Sequence, residues 1–315
     1  MTSPITNSKE LYKDLANQQV SSDLSIVILT GASTGIGYAS ASYLAERKFF
    51  VIATVRKTQD AERLTKLHSN IFPILLDVCF PDQVDALAVA IDQFLHLNQR
   101  PYLDALINNA GIALGGPLVE LDDQVLQQQL EVNVVAPMRM IRALAPALGV
   151  KAGSKQGGRI IQVSSISGER AMPFVGPYTA SKFALEGISD SLRMELLPFG
   201  VDVIIVQPGP INTEIWDKAP TPEENPFKDG LYAHALKRFY EFIVQGGRKG
   251  LAPVEIAKVI HKALIASKPK TRYVKTPGFF IRVFLPKRLP TRVFDRLIGK
   301  LLGLLPQSFH EDSSD

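Results

Sequence analysis

Cysteine is almost missing: Cys79 is the single thiol in 315 residues. It has no partner within its chain, which excludes a disulfide framework and a thiolate zinc site and points to a reducing, cytoplasmic compartment. Histidine is sparse as well. The five, His68, His96, His234, His261 and His310, stand too far apart for ligand spacing, so no catalytic metal is expected. No stretch of about 18 uncharged apolar residues occurs, so no segment reads as a membrane-spanning helix. The first 24 residues are polar and lack the apolar core of a secretory signal. The 22 Gly and 21 Pro are dispersed, which excludes a collagenous or low-complexity chain.

Charge of one sign is in excess in one place only. The chain carries a net +4, but Lys268 to Lys300 alone holds ten Lys/Arg against Asp295, a net +9, which leaves −5 for the remainder. No nucleic-acid-binding motif accompanies this basic stretch, so nucleic acid is not an expected partner. With 46% hydrophobic and 21% charged residues the composition is that of a globular enzyme able to bury a large core.

From Ser25 onward short apolar or β-branched runs alternate with longer helical ones, as in repeated βαβ units. Ile26–Leu29, Phe50–Ala53, Ile71–Leu75, Leu103–Ile107, Arg159–Val163 and Val201–Val206 read as buried strands, with a seventh at Arg272–Lys275. Helices are expected around Ile36–Arg47, Val84–Leu95, Asp122–Leu148, Tyr178–Leu197 and Pro253–Ala266. The economical fold is α/β: one doubly wound Rossmann domain over residues 25–275, a parallel sheet of about seven strands with helices on both faces. A polar N-terminal extension (1–24) and a basic amphipathic C-terminal extension (276–315) flank it. An aromatic-rich insertion at 214–250, with Trp216, Phe227, Tyr232, Phe239 and Phe242, reads either as a lid over a lipophilic ligand or as packing on the sheet.

The first strand runs into Thr30-Gly31-Ala32-Ser33-Thr34-Gly35-Ile36-Gly37 and then a helix. Glycines there let the backbone approach a pyrophosphate, and the helix N-terminus offers it unpaired N–H groups and a positive dipole end. Further polar positions follow the later strands: Asp77 and Val78; Asn108, Asn109, Ala110 and Gly111; Ser165; and Pro208, Gly209, Ile211 and Thr213. Ligands bind at the carboxyl ends of strands in open α/β sheets, so these positions share one crevice. Tyr178 and Lys182 are four apart, on one helix face.

In this order the motifs resemble the short-chain dehydrogenase/reductase family, classical type, from about Ser25 to Ala266. The resemblance implies hydride transfer between a nicotinamide and a carbonyl or secondary alcohol. Tyr178 is then the acid/base, with the neighbouring ammonium of Lys182 and a nearby oxidised nicotinamide both favouring its phenolate. Lys182 also grips the nicotinamide ribose. Ser165, thirteen residues before Tyr178, holds the substrate oxygen, with Ser164 and Ser167 as competitors, and Asn133 anchors a water that links Lys182 to solvent. The cofactor-binding set is Gly31, Ser33, Gly35, Ile36, Gly37, Arg56, Asp77, Val78, Asn109, Ala110, Gly111, Tyr178, Lys182, Pro208, Gly209, Ile211 and Thr213. Asp77 either accepts from the adenine amino group or caps the next helix; Cys79 reads as packing.

No acid lies between Glu46 and Asp60, and the second strand ends Ala53-Thr54-Val55-Arg56-Lys57. An Arg there accommodates a 2′-phosphate, so NADP(H) is favoured over NAD(H). Thr34 stands where many NADP enzymes of the family carry a second basic residue, which leaves most of the discrimination to Arg56. Within the family, the Ala-Thr-Val-Arg run, Asn133-Val-Val-Ala-Pro and the residues from Tyr178 to Gly187 look most like hydroxysteroid and retinol dehydrogenases, implying a small lipophilic substrate. Reduction of a 3-oxoacyl thioester is an alternative, and a non-catalytic dinucleotide sensor is another. Monomer and homo-oligomer are equally compatible with the residues. In the C-terminal extension Val293-Phe294, Leu297-Ile298 and Leu301-Leu302 recur every four residues beside Arg292, Arg296 and Lys300, with Arg282, Lys287, Arg288 and Phe279-Phe280-Ile281 upstream. That spacing predicts an apolar helix face, which lies either in a bilayer interface as a peripheral membrane contact or against protein.

Overall fold

In the computed structural model, which describes residues 8–214 and 224–306, the apolar runs pair into one parallel sheet. Its strands are β1 Ser25–Leu29, β2 Phe49–Val55, β3 Ile71–Leu75, β4 Ala105–Asn108, β5 Arg159–Val163, β6 Asp202–Pro208 and β7 Arg272–Lys275, in spatial order β3-β2-β1-β4-β5-β6-β7. The central runs Ile26–Leu29, Phe50–Ala53 and Ala105–Ile107 are continuously apolar because both faces of the sheet are covered. Ile26 and Ile28 point to one side, into a core with Phe50, Ile52, Leu87, Phe94 and Leu144. Val27 and Leu29 point to the other, with Val51, Ala53, Leu44 and Ile260. The order reverses between β1 and β4, and the carboxyl ends of those two strands frame the ligand crevice.

The covering helices are α2 Gly35–Ala45, α3 Thr58–Thr65, α4 Pro81–Leu97, α5 Asp123–Leu130, α6 Ala136–Leu144, α7 Gly176–Glu195, α8 Ala233–Arg248 and α9 Pro253–Ile265. The single helix expected over Asp122–Leu148 is interrupted. Asp122 caps α5 by accepting from the Gln124 N–H at 2.7 Å, and a π-turn at Glu131–Val135 joins it to α6. The register slip of a π-turn leaves no mark in composition.

The stretch read as a polar N-terminal extension is revised. Ser8–Ala16 forms a helix (α1), Leu15 is fully buried in the sheet core, and the Tyr12 hydroxyl donates to the Leu75 carbonyl at 3.2 Å. Asn98, after α4, accepts from the Val20 N–H at 2.8 Å and donates to the Gln18 carbonyl at 2.9 Å. At the other end Thr291–Leu302 forms a helix (α11), preceded by a short one (α10, Leu285–Arg288). Leu302 is buried with Phe174, Ala235, Leu236 and Phe239, so α11 packs on α8. Trp216, expected in the lid, lies outside the described residues.

Candidate active site

The loop after β1 is fastened to the end of β4. The Thr30 hydroxyl accepts from the Asn109 and Ala110 N–H groups, both at 3.0 Å, and the Asn109 side chain donates to the Thr30 and Gly31 carbonyls, also at 3.0 Å. Gly31 has φ +67°, and a Cβ there would stand 2.7 Å from the Ala110 Cα. At Gly37 a Cβ would sit 2.1 Å from the Gly31 carbonyl oxygen. Ile36 packs beneath the loop against the core of Val27 and Val51. Thr34 precedes α2 without a side-chain cap, so the first N–H groups of that helix are left for a ligand. Thr213 lies across from the loop, its Cγ2 3.0 Å from where a Gly35 Cβ would be. Pro208 pairs with Lys275, Gly209 donates to the Lys275 carbonyl at 2.9 Å, and Ile211 bridges to Leu251.

Ser165 follows β5; its hydroxyl lies beside that of Tyr178 and accepts from the Ser167 N–H at 3.1 Å. Ser164 is buried with no protein partner for its hydroxyl, and Ser167 contributes its backbone. Lys182 is buried one turn beyond Tyr178; its Nζ lies 5.7 Å from the Tyr178 ring centre and donates to the Val163 carbonyl at 2.9 Å. Burial pushes the Lys182 ammonium down to about 8, while the Glu186 carboxylate pulls it back up. Burial raises the Tyr178 phenol's pKa, and the Ser165 hydrogen bond offsets only part of that.

Asn133 sits in the π-turn, its Oδ1 accepting from the Ile112 N–H at 2.9 Å and its Nδ2 donating to the Ile112 carbonyl and the Ser181 hydroxyl, both at 3.0 Å. Ser181 in turn donates to the Tyr178 carbonyl at 2.7 Å. Both amide hydrogens are committed, so the side chain fastens the loop after Gly111 to α7 rather than reaching Lys182.

At the far end of the crevice Arg56 lies 3.9 Å from the Asp77 carboxylate, and Asp77 accepts from the Cys79 N–H at 3.0 Å. Val78 is buried and its carbonyl accepts from Arg139 at 2.9 Å. A second guanidinium stands here that sequence reasoning missed. Arg63 projects from α3, donates to the Ser33 carbonyl in the glycine loop, pairs with Asp60 at 3.1 Å and lies over the Tyr38 ring at 4.9 Å. Loop, uncapped helix and paired guanidinium groups suit a phosphate-bearing dinucleotide, and the buried Asn108 side chain at the end of β4 has no protein partner for either polar atom.

A family model described as short chain dehydrogenase matches residues 25–224. The chain belongs to the short-chain dehydrogenase family. It is 35% identical over 282 residues, 89% of its length and 98% of the other, to the NADPH-dependent 3-dehydrocapnine reductase of Ornithobacterium rhinotracheale. It is also 35% identical over 264 residues, 81% of its length and 78% of the other, to human 17-beta-hydroxysteroid dehydrogenase type 1. A Burkholderia cenocepacia short chain dehydrogenase solved in complex with NADP superposes with TM-score 0.65 at 26% identity, covering 88% of this chain and 98% of that one. The protein is therefore an oxidoreductase that binds a nicotinamide dinucleotide.

In this short-chain dehydrogenase the support behind Lys182 also went unread in the sequence. Glu186, one turn further along α7, is buried and accepts from Gln207 Nε2 and Arg272 Nε, each at 3.0 Å. Arg272 reaches Asp190 as well, at 2.7 Å. The i, i+4 spacing of Lys182 and Glu186 was the available signal; that Arg272 completes the pair depends on β7 lying beside β6.

Proposed function

We propose that this enzyme uses NADP(H) to reduce the carbonyl of a small lipophilic substrate of steroid- or retinoid-like character, with Tyr178 as the proton donor. The observation that carries the reading is Ser165, Tyr178 and Lys182 converging at the carboxyl ends of β5 and α7's first turns, beside the glycine loop. Bound there, the nicotinamide supplies the hydride. The chain's own groups do the rest: the Ser165 hydroxyl holds the substrate oxygen, and the Tyr178 hydroxyl gives it a proton. Burial raises the phenol's pKa in the ligand-free chain, and the same hydroxyl that donates in ketone reduction would accept the proton in alcohol oxidation. Lys182, titrating at about 8, can restore that proton near neutrality. Asn133 acts as a positioning residue through Ile112 and Ser181.

Two features support NADP(H): Arg56 and Arg63 follow the end of β2, and a similar reductase is NADPH-dependent. A lipophilic substrate is supported by the apolar cluster that follows the Ser165 loop, where the Phe174 ring lies 5.8 Å from Tyr232 and 5.6 Å from Phe239. The similarity to a hydroxysteroid dehydrogenase points the same way. The test follows NADPH absorbance with steroid and retinoid carbonyls, a 3-oxoacyl thioester and short ketones. Steroid- or retinoid-like carbonyls should turn over best, and Tyr178→Phe should lose nearly all kcat while keeping the NADPH Kd. Efficient turnover by Tyr178→Phe, or preference for the thioester, overturns the reading.

A further inference from the structure

The spacing of α11 predicts one apolar face, but the structure divides it in two. Leu302 is fully buried and Ile298 half-buried against α8, and Phe294 is half-buried under Arg170, whereas Val293, Leu297 and Leu301 are 44, 55 and 48% exposed. The outer stripe continues into the segment before it, where Phe279, Phe280, Ile281 and Leu285 are also exposed. Arg282, Lys287, Arg288, Arg292, Arg296 and Lys300 are exposed among them, against Asp295 as the one acid between 279 and 301. Seven large apolar side chains left in water beside six cations are not what an isolated soluble surface carries.

We propose that this face docks on an anionic lipid bilayer, and that through it the enzyme takes its substrate from the membrane; the second half rests on the lipophilic-substrate reading. An interface satisfies both features at once, apolar side chains among acyl chains and cations at the headgroups. A second copy of the chain through the same face would set like charges against each other. An acidic carrier protein would match the cations but leave Phe279, Phe280 and Ile281 protruding.

The docking face is built on the elements that wall the site. Lys287 pairs with Glu169 at 2.5 Å, and the Arg170 guanidinium lies over the Phe294 ring at 4.2 Å. Both partners lie in the loop that follows Ser165. Leu302 packs against Phe174 at the end of that loop and against Phe239 of α8. Substrate wall and docking face therefore form one packed unit. No helix among the described residues is long and apolar enough to cross a membrane, so attachment through this face is peripheral.

The test uses the full chain with vesicles of phosphatidylcholine, with and without about a third phosphatidylserine. The wild type should sediment with the anionic vesicles at low salt and be released by high salt. Each near-surface cation contributes on the order of fivefold in partitioning, so Arg292→Gln/Arg296→Gln should bind about 25-fold more weakly. Val293→Ser/Leu297→Ser/Leu301→Ser should also lose binding while keeping NADPH affinity and short-ketone turnover, yet turn over a bilayer-dissolved steroid ketone more slowly. Wild type in the supernatant, variants that bind like wild type, or binding to an acidic carrier protein but not to vesicles overturns docking. Vesicle binding with no turnover of any lipophilic carbonyl keeps docking and refutes the substrate reading instead.

Discussion

Removing Arg56 and Arg63 together should erase the preference for NADPH over NADH. Arg56, just after β2, lies 3.9 Å from Asp77, and Arg63 on α3 is held by Ser33, Asp60 and the Tyr38 ring. A charge-assisted hydrogen bond to a phosphate contributes roughly 1.5–3 kcal/mol. The Arg56 side chain is 72% exposed and that of Arg63 46%, so solvent screening holds each near the lower end, about 1.4 kcal/mol or tenfold. Arg56→Ala should therefore weaken NADPH about tenfold and leave NADH unchanged. Arg63→Ala should do the same or slightly less, because Asp60 already neutralises part of its charge. The double variant should approach a hundredfold if both reach the same phosphate independently. Cofactor fluorescence titrations at low and high salt measure both dissociation constants, and the wild-type preference should shrink with salt. A wild type that prefers NADH, or a double variant that keeps the wild-type ratio, refutes the argument.

Two further outcomes follow from groups buried elsewhere. Lys182 loses its proton at about 8, so turnover that needs the ammonium should fall as pH rises through that value; Glu186→Gln removes the carboxylate that holds the pKa up and should move this alkaline limb to lower pH, seen in the kcat/KM profile, and an unmoved limb refutes the coupling. Leu15→Ala empties a fully buried site between α1 and the sheet and should cost about 2–5 kcal/mol in denaturant unfolding, whereas a change under about 0.5 kcal/mol would return the N-terminal segment to the status of an extension.

The strands were readable because each is covered on both sides, so Ile26–Leu29 or Phe50–Ala53 appears as an unbroken apolar run whichever face a residue takes. The small helices were not. α1 buries Leu15 and anchors Tyr12 on the Leu75 carbonyl, and α3 buries Ala61 and Leu64 over eight residues. Each helix is too short for its apolar positions to establish a period. At the C-terminus the period was clear in the sequence, but how Val293, Leu297 and Leu301 part from Ile298 and Leu302 is set by where α8 lies.

The site divides along the same line. Tyr178 and Lys182 could be paired from spacing because a helix fixes what four residues means, and Ser165 could be chosen over its neighbours by distance along the chain to Tyr178. The sign of the Tyr178 shift could not be read in that way. Spacing says that an ammonium is near a phenol; the outcome depends on how much water both have lost. Burial raises the phenol's pKa and the Ser165 hydroxyl lowers it only in part, while Lys182 reaches past the ring to the Val163 carbonyl. Arg63 and Arg272 were hidden for the corresponding geometric reason. Arg63 meets a carbonyl 30 residues away across a βα turn, and Arg272 meets Glu186 over 86 residues through the pairing of β6 with β7. Local periodicity carries the proposed acid/base pair, while Glu186, Arg272 and Arg63 reach their partners through tertiary contacts.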